Sequence, residues 1–109
     1  MSGGARHRQK AGREERMLVR IAQDNGFAAE RVPLSGSVGG QRFSGDIVLP
    51  LVGRDLCVES KVRGRGFKQL YDWLRGRDLL IVRSDRREPL VVVPLKLAIE
   101  IAKAAERGR

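Results

Sequence analysis

The sequence predicts an α/β fold, a single domain with a mixed central β-sheet flanked by helices. Three observations carry this. A chain of 109 residues has room for one core. Its apolar content of 41% is enough to fill a small one. The apolar pattern also switches between helical and extended spacing, in the order α-β-β-β-α-β-β-α, without internal repeats.

The elements follow in turn. Residues 1–9 are Gly- and Arg-rich without periodicity and read as a flexible basic N-terminal arm, leaving 10–109 as the folded domain. From Lys10 to Asn25, Met17, Leu18, Ile21 and Ala22 recur at helical spacing, and Gly26 is placed to stop the helix. Phe27 to Val32 reads as a short strand ended by Pro33. Leu34 to Arg42 holds three Gly and two Ser and reads as a loop. Phe43–Val52 and Asp55–Val62 read as two strands of a hairpin turning at Gly53-Arg54. Gly64 and Gly66 precede a helix over Phe67–Arg75. On that helix Phe67, Tyr71 and Trp73 are expected mainly to pack, with Tyr71 the candidate for stacking on bases. Leu79–Arg83 is a continuous apolar run of the buried kind, Asp85–Glu88 a turn and Leu90–Val93 a further strand. Leu95–Arg107 closes the chain as a helix. Its broad apolar arc is wider than one sheet face needs and suggests partial cover by a second subunit.

Charge narrows the function. The 22 cations, 17 Arg and 5 Lys, exceed the 13 carboxylates by +9. Arginine presents a planar fork of donors that matches phosphate, and a field this positive recruits polyanions with a strong salt dependence. The other reading is a set of solvated surface cations. No apolar run approaches the ~18 residues of a membrane span, and no apolar segment follows the basic N-terminus. Cys57 stands alone, which excludes an internal disulfide and a zinc site built on paired cysteines; it reads as a small buried hydrophobe. These features predict a soluble, cytoplasmic protein without a membrane partner.

Strand alternation puts Leu56 and Val58 on one face and Cys57, Glu59 and Lys61 on the other. Asp46 lies 13 residues before Glu59, and a hairpin brings it into that neighbourhood. Two carboxylates and a lysine then converge. Hard oxygen ligands suit Mg²⁺, a Lewis acid that polarises a phosphate, while a lysine alongside orients or deprotonates water. This is the chemistry of phosphodiester hydrolysis. The competing reading of the same residues is a salt bridge on a solvated face.

Asp46…Glu59-Ser60-Lys61 resembles the D…(D/E)-x-K signature of the PD-(D/E)XK nuclease superfamily. Within it the chain is most similar to the archaeal-type Holliday junction resolvases and their bacterial and phage relatives. Glu15 ahead of Gly26-Phe27, Arg31-Val32-Pro33-Leu34-Ser35-Gly36 and Gly45-Asp46-Ile47 follow that family's order, with Gly45 standing where Pro is usual. The resemblance implies a restriction-endonuclease-like fold and a Mg²⁺-dependent endonuclease, with Mn²⁺ as a substitute, acting on four-way DNA junctions as a homodimer. It implies that Asp46, Glu59 and the Ser60 carbonyl bind the metal and that Lys61 handles the nucleophilic water. Glu15, or Glu14 if the register slips, adds a metal or water contact; Ser35 touches the substrate and Gln69 orients its neighbours. Arg13, Arg16, Arg31, Arg42, Arg63, Arg65 and Lys68 are the expected DNA contacts. Two alternatives stay open: a nicking, restriction-type or repair endonuclease of the same fold, and a non-catalytic nucleic-acid-binding module.

Overall fold

A computed structural model describes residues 3–32 and 46–109. The chain divides into two compact units, Met1–Val62 and Arg63–Arg109. All strand pairs among the described residues are antiparallel, in a three-stranded ladder and a two-stranded one. The mixed sheet expected from the sequence therefore shows no parallel pair there.

In the first unit, helix α1 spans Gly3–Asp24 and begins seven residues before the expected Lys10. Its C-terminus ends where glycine was expected to end it. Gly26 has φ +92°, a conformation that a Cβ disfavours. The Phe27 amide donates to the Ala22 carbonyl and the Gly26 amide to the Gln23 carbonyl, each at 3.0 Å. This pair of bonds is a Schellman motif, which satisfies carbonyls that the helix end would leave open. The Gln23 amide nitrogen then donates to the Ala29 carbonyl at 3.0 Å and draws the following chain back along the helix. Ala29 is buried as a result.

Strand β1 (Glu30–Arg31) pairs with β2 (Ile47–Leu51), which pairs with β3 (Arg54–Val58). Leu51 faces Arg54, so the hairpin loop is Val52-Gly53, one residue earlier than expected. Both loop residues have positive φ, +49° and +82°, the geometry of a type I′ turn whose twist matches the strands. Glycine is at ease there; valine, branched at Cβ, is not. Val52→Asn is expected to stabilise the unit by about 1 kcal/mol, since asparagine tolerates the left-handed region. A urea titration checks this, and an unchanged or lower midpoint would contradict it.

The ladder ends at Val58, so Glu59, Ser60 and Lys61 lie just past the strand rather than within it. The reason is visible at the start of β2. Ile47 faces Val58, and the Asp46 amide also donates to the Val58 carbonyl at 2.8 Å. Two consecutive residues thus share one partner residue, the pattern of a β-bulge, which bends a strand and re-aims a side chain. Side-chain alternation nevertheless runs as the sequence implies. Leu56 and Val58 are half-buried, while Cys57, Glu59 and Lys61 are exposed. Cys57 is accordingly not the buried hydrophobe expected, because its face is the solvated one.

In the second unit, α2 (Lys68–Leu74) is a two-turn helix and α3 (Leu95–Arg107) matches its expected bounds. Strands β4 (Leu80–Val82) and β5 (Leu90–Val92) pair with Ile81 opposite Val91. Both residues are exposed, at 61% each, as is Leu79. The run Leu79–Arg83 is therefore not the fully buried strand its composition suggested, since a two-stranded ladder leaves one face open. Tyr71 and Trp73 are also exposed, and Phe67 is half-buried.

Candidate active site

Asp46 is the most firmly placed of the sequence-predicted site residues. Its backbone immediately precedes the middle strand, β2, and bonds on both sides. The Val32 amide donates to its carbonyl at 2.9 Å, and its own amide bonds to Val58. Its carboxylate turns across the bulge, where Oδ2 accepts the Ser60 amide at 2.8 Å. That bond satisfies a backbone donor that the ladder no longer serves. It also brings Asp46 beside the Glu59-Ser60-Lys61 segment, 14 residues on.

Glu59 Oε2 and Lys61 Nζ are 2.8 Å apart. Both side chains are about half exposed, at 50% and 55%. Ion pairs in such a solvated setting contribute about 0–1 kcal/mol, so a phosphate or a cation can compete for either member. Positioned this way, the pair is strong enough to orient two side chains and weak enough to exchange.

Glu15 projects from α1 with only 13% of its side chain exposed. Its Oε1 accepts from Arg31 Nε and Nη2, each at 3.0 Å. Arg31 precedes Val32, whose amide bonds to Asp46, so the Glu15–Arg31 pair ties α1 to the strand beside the bulge. Gly12 makes room for the guanidinium groups. A Cβ there would meet Arg16 Nη1 at 3.3 Å and Arg31 Nη2 at 3.7 Å. Nothing in the sequence signals the pairing of Glu15 with Arg31, which lie 16 residues apart.

The structure thus brings together Asp46 with Ser60, Glu59 with Lys61, and Glu15 with Arg31. Arg13 and Arg16 are exposed on α1. Arg63, Arg65, Lys68 and Gln69 belong to the second unit and are exposed there, Lys68 in an ion pair with Asp72 at 2.7 Å. Ser35 and Arg42 lie outside the described residues.

Among the described residues no group of three or more His, Cys, Asp or Glu is arranged to hold a metal ion. Magnesium does not require one. It is commonly held by one or two carboxylates with water completing the octahedron. Asp46 and Glu59 supply hard oxygens of that kind, with the Ser60 carbonyl nearby in the chain, so the donor chemistry fits.

No curated protein and no solved structure matches the chain significantly. A match to the archaeal Holliday junction resolvase family covers residues 6–102, leaving only the two ends outside it. That span takes in α1 with Glu15, Asp46 and the hairpin it precedes, and the segment after it. The chain is a member of the archaeal Holliday junction resolvase family, a nuclease with the restriction-endonuclease-like α/β fold.

Proposed function

We propose that this chain is a Mg²⁺-dependent endonuclease that cuts four-way DNA junctions by phosphodiester hydrolysis, working as a cytoplasmic homodimer. The observation that carries the reading is the Asp46 carboxylate, held by the Ser60 amide next to the exposed Glu59–Lys61 pair. In this reading residues 10–109 are the nuclease domain and 1–9 its basic N-terminal arm, although α1 already begins at Gly3 and so the arm is helical there rather than flexible coil.

In this reading Asp46 and Glu59 bind the cation, with the Ser60 carbonyl as a third oxygen. When bound, the cation supplies Lewis acidity at the scissile phosphate; Mn²⁺ is expected to serve as well. Lys61 orients the attacking water and offsets charge that builds up on the phosphoryl oxygens. Glu15 adds a contact from α1, Ser35 contacts the substrate and Gln69 orients its neighbours. Arg13, Arg16, Arg31, Arg42, Arg63, Arg65 and Lys68 bind DNA phosphates, which position the duplex without reading its sequence. Arg31 carries a second task here, because it also holds Glu15. Leu95 and Ile101, exposed on α3, support pairing with a second copy. No helix among the described residues is long and apolar enough to cross a membrane.

The test is a labelled four-way junction incubated with and without Mg²⁺, alongside linear duplex, flap and single-stranded controls. Cleavage confined to the junction and to the Mg²⁺ samples is the expected result. Equal cutting of linear duplex would move the assignment to a nicking, restriction-type or repair enzyme. Mg²⁺-indifferent binding with no cleavage at any enzyme concentration would leave a non-catalytic binding module.

A further inference from the structure

The β4–β5 connection holds a cleft of about 310 Å³ lined by Val82, Arg83, Ser84, Arg87, Glu88 and Leu90. Its arginines differ from several cations elsewhere on the chain. Arg31, Lys61, Lys68 and Arg75 each sit against a carboxylate. Arg83, Arg86 and Arg87 make no ion pair among the described residues, although Asp85 and Glu88 are within the same six-residue stretch. All three are exposed.

The backbone adds an independent observation. The Arg87 amide donates to the Ser84 carbonyl at 3.1 Å, closing a four-residue turn with Asp85 and Arg86 at its centre. Arg86 has φ +64°. That position in a turn belongs by preference to glycine or asparagine, because a longer side chain is strained there. The chain nonetheless carries an arginine at it. Strain of this kind is retained where the side chain has another use. The use open to an unpaired guanidinium beside two others is an anion with several oxygens.

We propose that the β4–β5 turn of the second unit is a further nucleic-acid contact, in which Arg83 and Arg87 in the cleft and Arg86 in the turn between them bind the phosphodiester backbone of a duplex. The inference rests on the nuclease reading for its choice of ligand, and it assigns residues that the reading leaves idle. Ser84 adds a hydroxyl donor to a phosphate oxygen. Val82 and Leu90 add apolar side chains to the lining, which offer no competing hydrogen bonds. Glu88 opposes an anion, and Asp85 does so more weakly from the turn, so this contact is modest and depends on salt.

The experiment is equilibrium binding of a labelled linear duplex and a four-way junction across a salt series in EDTA, where cleavage plays no part. Each phosphate contact contributes about 0.9 to the slope of log affinity against log salt. The double variant Arg83→Gln/Arg87→Gln is therefore expected to lower the slope by about 2 and low-salt affinity by roughly tenfold or more. Arg86→Gly relieves the turn, so the fold holds, and is expected to lower the slope by about 1. Glu88→Gln should move affinity in the opposite direction, upward. Inorganic phosphate at matched ionic strength is expected neither to displace the duplex nor to raise the melting temperature. Unchanged slopes in both arginine variants, or a parent chain that does not bind duplex, would overturn the proposal. A phosphate-induced rise in melting temperature that the double variant abolishes would overturn it in favour of a free-anion site. Slopes that fall as expected in a protein that never cuts DNA would leave this contact standing and remove the nuclease reading instead.

Discussion

Asp46→Asn is expected to lower the rate of junction cleavage at least ~10³-fold while leaving junction binding within a few-fold of the parent, the loss expected when a charge that stabilises the transition state is removed. Asparagine is the informative replacement. Its side-chain oxygen still accepts the Ser60 amide, so the segment after β3 stays in place and only the negative charge is lost. Single-turnover cleavage with saturating enzyme separates the chemical step from binding. Glu59→Gln and Lys61→Ala are expected to behave alike, and because their mutual ion pair is half exposed, neither should cost measurable stability. Full activity in any of the three would remove that residue from the site. A fall in binding parallel to the fall in cleavage would instead make the cluster a docking surface.

Ile47→Ala is expected to destabilise the chain by about 2–4 kcal/mol, the usual cost of deleting buried methyl groups and leaving a cavity. Ile47 is 4% exposed, and only Ala29, at 1%, is more deeply buried among the described residues. A core this thin has few other side chains to share the loss. The effect is read as a lower urea midpoint at unchanged slope. Val48→Ala, the next residue along and half-buried, should cost less than half as much. Equal losses at the two positions would mean that Ile47 is not the anchor its burial suggests.

Local rules made some of the fold legible. Gly26 marked the end of α1, and the helical period gave the bounds of α3, because both signals lie within a few residues of what they determine. Alternation correctly set Cys57 apart from half-buried Leu56 and Val58, yet the usual burial of cysteine pointed the other way, and the alternation prevailed. The hairpin turn slipped by one residue because a valine occupies a left-handed position that composition rules assign to glycine or asparagine. In the second unit, Leu79–Arg83 looked buried because a run of apolar residues says nothing about how many strands lie beside it.

The candidate site divides the same way. Asp46, Glu59 and Lys61 were legible as residue types at hairpin spacing. How the Asp46 carboxylate is used was not, because its bond to Ser60 depends on a bulge that no local composition marks. The Glu15–Arg31 pair was hidden for a similar reason, since it depends on how α1 lies against β1.

That bulge puts the acid and the anchor of the small core on adjacent residues, Asp46 and Ile47, both facing Val58. Tuning one independently of the other is therefore difficult for selection or for an engineer. A substitution that tightens the interior also re-aims the carboxylate, and a shift that improves the chemistry loosens the scaffold. Variants hardened against heat at this point should come out slower, and faster ones more fragile.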